Sequence, residues 1–365
     1  MKKLFLILAL FASLSLEAQF VTTFAKNATE NQSDGIIYYL PKSVIQIEFT
    51  IEETDYYIGP YAEFTTKMLG VSEYIRENKS EYKISGVDIQ TFSTIDSNAV
   101  YYISPDEKNK MPNVILDNDG VILSYGYDSI PAKNVLERNS FTINDLETPE
   151  RVEASFIEIL NSEVDIDDDD NGKHSQRQIT DEDKAKVALE KISALRNAYY
   201  ELITGSQEVA FGEVTKYMAE TIKNLENEYI SLFKGKTIKR TYKKIVCVTP
   251  ESNQITSSLS IGKISKTDGF SDANGKGETI RIQFNSQNSM ANIEKLSDDD
   301  MNAAQPNKLF YRIPATSNVK ILVGSSVIAE KSLTICQFGY INTSLVKNNK
   351  ALFNPNTGQI ISITK

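Results

Sequence analysis

Hydrophobic residues follow two rhythms along this 365-residue chain, and the change of rhythm divides it. In "VIQIEFTI" the apolar Ile45, Ile47, Phe49 and Ile51 alternate with polar neighbours. A period of two puts every second side chain on one face, so the run predicts a half-buried strand. "GPYAEFTTKMLGV" follows, with Pro60 suited to a first helical turn and Gly70 to its stop. "EYKISGVDIQTFSTI" and "AVYYISP" return to strand character. "DNDG" at 117–120 stands between "NVIL" and "VILSYG" as a hairpin turn. Residues 36–130 therefore read as a small α+β domain.

The rhythm then lengthens. Ala185, Ala188, Ile192, Leu195, Tyr199 and Leu202 recur at spacings of three and four, after a capping-box-like Thr180 and Asp183 and before Gly205. Phe211, Val214, Met218, Leu225, Tyr229 and Leu232 form a second such stripe that ends at Gly235. Two amphipathic helices with a short loop between them predict an antiparallel αα-hairpin over 181–235. It reads as a structural arm, with Leu195 and Leu225 on facing, buried stripes. From 236 to 365 helix patterns are scarce. Short strand-like runs ("TYKKIVCVT", "SSLSIGKIS", "TIRIQF", "KLFYRI", "VKILVG", "LTICQFG", "QIISIT") are separated by Gly, Asn, Asp and Pro, which predicts a C-terminal β-sandwich domain. The expected class is α+β and multidomain.

Outside these periodic regions the text changes. "MKKLFLILALFASLSLEA" pairs a basic start with an apolar core too short to span a bilayer and a small residue, Ala18, before Gln19. Residues 1–18 thus read as a cleaved signal peptide, and the mature protein as periplasmic or extracellular, with no membrane span. Residues 19–35 read as a flexible lead-in, and 131–180 as a linker that contains an acidic run. The formal net charge of −10 disfavours nucleic acid as a partner, because like charge repels phosphate. The most basic stretch, "KGKTIKRTYKK", alternates Lys with Thr and reads as the polar face of a strand.

The acidic run "VDIDDDDNGKHSQRQ" holds the chain's sole histidine, His174. A calcium loop wants oxygen ligands at positions 1, 3, 5 and 9, glycine at 6 and a bidentate glutamate at 12. Asp167, Asp169, Asn171, Gly172 and Ser175 meet the first five demands, while position 12 is Gln178, which lacks the charge and the second oxygen. The run reads as a solvated, self-repelling linker, with calcium at Asp167, Asp169 and Asn171 as the alternative and no other cofactor expected. One histidine, placed in that linker, is poor material for a Ser-His-Asp or Cys-His site. "VGSSV" is not a nucleophile elbow, and "GKGETI" lacks the last glycine of a phosphate loop. Cys247 and Cys336, both in strand-like text, allow one disulfide or two buried thiols on neighbouring strands. Paired carboxylates stay open as chemistry, because sequence spacing does not show which acids face each other. The 18 tyrosines, paired at Tyr38, Tyr56, Tyr101 and Tyr199, read as packing within half-buried strands, and the lack of tryptophan removes the strongest sugar platform.

"GIIYYLPKSVIQIEFTIEE", "GPYAEFTTKMLGV", "ISALRNAYYELITG", "NEYISLFKGKT", "KLFYRIPA" and "FNPNTGQIISI" together resemble a family of exported proteins, with a domain of unknown function, from Bacteroides-type bacteria. The resemblance implies export and carries no activity, substrate or catalytic residue with it. The leading expectation is a non-enzymatic protein of the cell envelope that binds a protein or glycan partner. Its rival is a carboxylate-dependent glycoside hydrolase.

Overall fold

A computed structural model of the chain describes residues 19–27, 35–105, 113–140, 150–164, 178–205, 214–286 and 296–365. In chain order the strands are β1 (Phe20–Phe24), β2 (Ile36–Tyr57), β3 (Lys79–Pro105), β4 (Val114–Leu116), β5 (Ile122–Tyr125), β6 (Lys236–Val248) and β7 (Ser258–Ser265). There follow β8 (Gly269–Ser271), β9 (Glu278–Ser286), β10 (Gln305–Pro306), β11 (Lys308–Val323), β12 (Ser326–Leu345), β13 (Lys350–Phe353) and β14 (Ile360–Thr364). The α-helices are α1 (Thr65–Leu69), α2 (Asp181–Thr204), α3 (Val214–Lys234) and α4 (Asp298–Asn302). The protein is strand-rich and mixed, and its described residues form three antiparallel sheets in the orders β10-β1-β3-β2-β6, β12-β11-β9-β7-β8 and β14-β13-β5-β4.

Two long hairpins organise it, β2–β3 and β11–β12. The predicted alternation appears as Ile45, Ile47, Phe49 and Ile51, all fully buried on one face of β2. Within its own half of the chain that face is joined by Ile89 of β3, and most of its partners come from the other half. It meets Ile280, Ile282, Phe284, Val319, Ile321 and Ile335 of the sheet β12-β11-β9-β7-β8 in one apolar core. A second core gathers Phe20, Tyr38, Leu40, Tyr101 and Ile103 with Ile122, Tyr125, Leu309, Phe310 and Phe353. Strands from the two regions expected as separate domains, 36–130 and 236–365, also share sheets. β6 pairs with β2 through all of its length, and β13 pairs with β5.

Local signals hold where the chemistry is local. Thr180 Oγ1 accepts from the backbone N–H of Asp183 at 3.2 Å, and the Asp183 carboxylate accepts from the N–H of Thr180 at 3.0 Å, a reciprocal cap of α2. Gly205 ends that helix in the left-handed conformation at φ 69°, open to glycine at little cost. The "DNDG" turn joins β4 to β5, with the Asp117 side chain accepting from the N–H groups of Asp119 and Val121. Thr237, Lys239, Thr241 and Lys243 do alternate outward along β6. Exposed lysines suit this edge strand, since charge discourages pairing with another chain.

α2 and α3 pack side by side. Arg196 Nε donates to Glu226 Oε1 at 2.7 Å, and Lys223 Nζ lies 4.5 Å from the centre of the Tyr199 ring, pairings that run antiparallel. Residues 206–213, which would close them into a hairpin, lie outside the described residues. The stripes differ from the expected ones. Ala185, Ala188, Ile192, Leu232 and Phe233 are buried with Tyr61 and Ile159, and Leu202 is buried apart from them, but Leu225 is 41% exposed and Leu195 only half-buried. The position next to Leu225 explains this: Glu226 is buried between Arg196 and Lys223, so the helix turns its carboxylate rather than Leu225 to its neighbour. Removing the buried ring by Phe49→Ala is expected to cost ~3–5 kcal/mol through lost burial and a cavity, whereas Leu225→Ala should cost less than ~0.5 kcal/mol. Urea denaturation midpoints of the two variants check this.

Candidate functional site

Proline has no backbone N–H, so inside a sheet it is confined to edges and bulges. Pro41 sits inside β2 and Pro314 inside β11. At the first, pairing jumps from Tyr39↔Val100 to Pro41↔Ile95, so residues 96–99 of β3 stand opposite the single Leu40. At the second, pairing jumps from Ile313↔Tyr340 to Ala315↔Ile335, so residues 336–339 of β12 stand opposite the single Pro314. The same device occurs twice. Gly339 is required in the second bulge, because a Cβ there would lie 1.7 Å from the carbonyl oxygen of Ile313.

Each bulge re-aims side chains, and the two sets meet. Arg312, next but one before Pro314, donates through Nη2 to Asp96 Oδ2 at 2.6 Å and through Nη1 to the carbonyl of Cys336 at 3.3 Å. Arg312 and Asp96 are both buried. Ser43 answers from the other hairpin. Its N–H donates to Gln337 Oε1 at 2.9 Å, its carbonyl accepts from Gln337 Nε2 at 2.8 Å, and its Oγ accepts from the N–H of Cys336 at 3.0 Å. The tight turn of residues 354–358 closes the junction from the third side, where the carbonyl of Gly358 accepts from the N–H of Arg312 at 2.8 Å. The Cys336 thiol points to the carbonyl of Asn356 at 3.4 Å, and burial raises its pKa above the ordinary thiol value.

Over this network lies a cleft of about 810 Å³. Lys42, Asp96 and Asn98 come from the first bulge, and Arg312, Gln337 and Tyr340 from the second. The loop after β6 brings Glu251 and Ser252, and the α4 region brings Leu296, Asp298 and Met301. The lining is thus guanidinium, carboxylate, amide, hydroxyl and one ammonium group, with apolar side chains on the α4 side. The Nε of Arg312 is buried without a hydrogen-bond partner among the described residues.

Asp167, Asp169 and Asn171 are the calcium ligands that the sequence singled out. All three lie outside the described residues, as do His174 and the leader 1–18. Among the described residues no cluster of three or more His, Cys, Asp or Glu is placed to hold a metal ion, and no helix is long and apolar enough to cross a membrane. Cys247 is exposed on β6 and Cys336 buried on β12, and both are free thiols. The sequence reading missed Asp96, Arg312 and Ser43. The available signal was a proline interrupting each of two strand-like stretches, "YYLPKSVIQI" and "LFYRIPATSNVKIL".

Fold and site define a strand-rich mixed protein with a polar cleft at the crossing of two bulged hairpins. Residues 34–361 match a family described as a domain of unknown function, DUF4831, and the chain belongs to it. Comparison with curated proteins and with solved structures gave no match.

The buried pair sets the stability of the site. Replacing Arg312 by Met leaves Asp96 buried with its charge uncompensated, and is expected to cost ~3–5 kcal/mol. Arg312→Met combined with Asp96→Leu should recover most of that loss, since removing both charges removes the desolvation cost as well. Equilibrium unfolding of the two variants beside the wild type checks it.

Proposed function

We propose that the protein is an exported, non-enzymatic binding protein of the cell envelope, and that its cleft takes a hydroxyl-rich ligand of glycan type. The observation that carries this reading is the cleft lining. Planar carboxylate, amide and guanidinium groups converge on a space of about 810 Å³, room for several sugar rings, and each of these groups pairs readily with neighbouring hydroxyls. Asp96 is anchored by Arg312, which fixes its orientation as an acceptor. The basic, apolar leader of residues 1–18 supports export to the periplasm or beyond, and the acidic balance argues against nucleic acid. On this reading α2 and α3 form an αα-hairpin, a structural arm that lends no residue to the cleft.

A second reading rests on three carboxylates. Asp96, Glu251 and Asp298 all line the cleft, and a glycoside hydrolase needs two acids facing each other across its substrate. Binding and turnover separate the two. Labelled mature protein is expected to retain a subset of glycans on an array without shortening them. Asn98→Ala and Lys42→Ala should each weaken retention about tenfold, the equivalent of one charge-assisted hydrogen bond. Shortened glycan that disappears with Glu251→Gln would establish the hydrolase instead. Retention untouched by both cleft variants would remove the glycan from the cleft.

A further inference from the structure

Among the described residues, two that are not glycine adopt the left-handed backbone, Asn307 at φ 56° and Asn348 at φ 59°. Side chains other than glycine are uncommon there, and such outliers often mark a function. Both asparagines serve the same residue. Gln19 donates its backbone N–H to Asn307 Oδ1 at 2.6 Å and its side-chain Nε2 to Asn348 Oδ1 at 2.5 Å. Its Oε1 accepts from the Asn348 N–H at 3.3 Å. Asn307 is buried and fixed through its own backbone, with its N–H donating to the carbonyl of Phe20 and its carbonyl accepting from the N–H of Val346.

This amide cradle holds the start of β1. Phe20, the next residue, is fully buried in the second core, and β1 runs between β10 and β3. Gln19 is also the residue that follows the small Ala18 at the end of the basic, apolar leader. Cleavage there turns its peptide N–H into an α-amine, which is mostly protonated at neutral pH, its ordinary pKa being about 7.7–8.0. The groups that meet Gln19 are two amide oxygens and one backbone N–H, all neutral. None of them balances a positive charge. The cradle suits a neutral N–H.

Glutamine at a chain terminus has a neutral form open to it. The amine nitrogen attacks Cδ of its own side chain, the new C–N bond closes a lactam ring, and the Cδ–Nε2 bond breaks with release of ammonia. No oxidant or second reactant is needed. The lactam keeps one N–H for Asn307 Oδ1 and the Oε1 carbonyl on the Asn348 side, and it carries no charge. We infer that Gln19 is a modification site, carried by the mature chain as pyroglutamate, and that Asn307 and Asn348 clasp the lactam and so seat β1 in its sheet. Ring closure precedes docking, because the seated Gln19 side chain is held by Asn348. The inference rests on the export reading, which supplies the cleavage.

Peptide mass spectrometry and hydrogen exchange test it on protein recovered after export of the full chain. The N-terminal peptide is expected to start at Gln19 and to be lighter by one ammonia than the encoded sequence. Gln19→Ser leaves a free amine behind the same Ala18, and Asn307→Gly keeps the left-handed backbone while removing the amide. Each should speed exchange of the β1 amides about tenfold, the equivalent of one hydrogen bond. Asn348→Gly gives the same reading if Asn307→Gly, at a buried position, fails to fold. A mature chain that starts elsewhere or keeps its leader defeats the export reading and this one together. A chain that starts at an uncyclised Gln19 defeats this one alone. So does a cyclised chain whose β1 exchange none of the variants changes.

Discussion

A strand that contains proline has to open its ladder, and this protein does so in the middle of both its long hairpins. Pro41 and Pro314 each force four residues of the partner strand out of register. The displaced backbone must still be satisfied, since a buried N–H or C=O without a partner is costly. Ser43, Gln337 and Arg312 do this, and the hairpins supply them to each other: Ser43 accepts from Cys336, Gln337 accepts from Ser43, and Arg312 donates to both Cys336 and Asp96. A polar junction in the middle of a β protein is therefore a consequence of two prolines. The cleft lies on it.

The bulges also set the packing. On β2 the buried positions shift from Tyr38 and Leu40 before the proline to Ile45, Ile47, Phe49 and Ile51 after it, from even to odd. An odd slip sends alternate side chains to the opposite face, so one strand can serve two cores. β11 also serves both cores, with Leu309 and Phe310 in one and Ala315, Val319 and Ile321 in the other. Where the hairpins meet before their prolines, the Tyr38 hydroxyl accepts from the N–H of Phe310 and donates to its carbonyl, and the Tyr101 and Phe310 rings stack at 4.2 Å. Of the four tyrosine pairs read from sequence as packing, those at Tyr38 and Tyr101 are part of this joint.

Elements bounded by local chemistry were legible. Thr180 with Asp183, Gly205, and the "DNDG" turn specify their own geometry within a few residues, and the alternation of β2 specified its buried face. The partners of these elements were not legible. "EYKISGVDIQTFSTI" and "AVYYISP" read as two runs, as did "KLFYRI" and "VKILVG", yet each pair is one strand interrupted by its bulge or its proline. Pairing of β6 with β2 spans nearly two hundred residues, and nothing near either strand encodes it. Leu225 misled for a related reason: periodicity showed a stripe, and the buried Glu226 beside it took the inward place. Of the site, Asp96 and Arg312 carried no motif, because their meaning comes from two bulges brought together by tertiary structure.

If the two hairpins form one scaffold through their prolines, they must unfold together. Native-state hydrogen exchange measures this directly, amide by amide. The account requires the most protected amides of β2 around Ile47 and Phe49, and those of β11 around Val319 and Ile321, to exchange through the same opening. They should then show equal free energies and equal denaturant dependence. Loss of protection in β11 and β12 at a clearly lower free energy, while β2 and β3 stay closed, would contradict it.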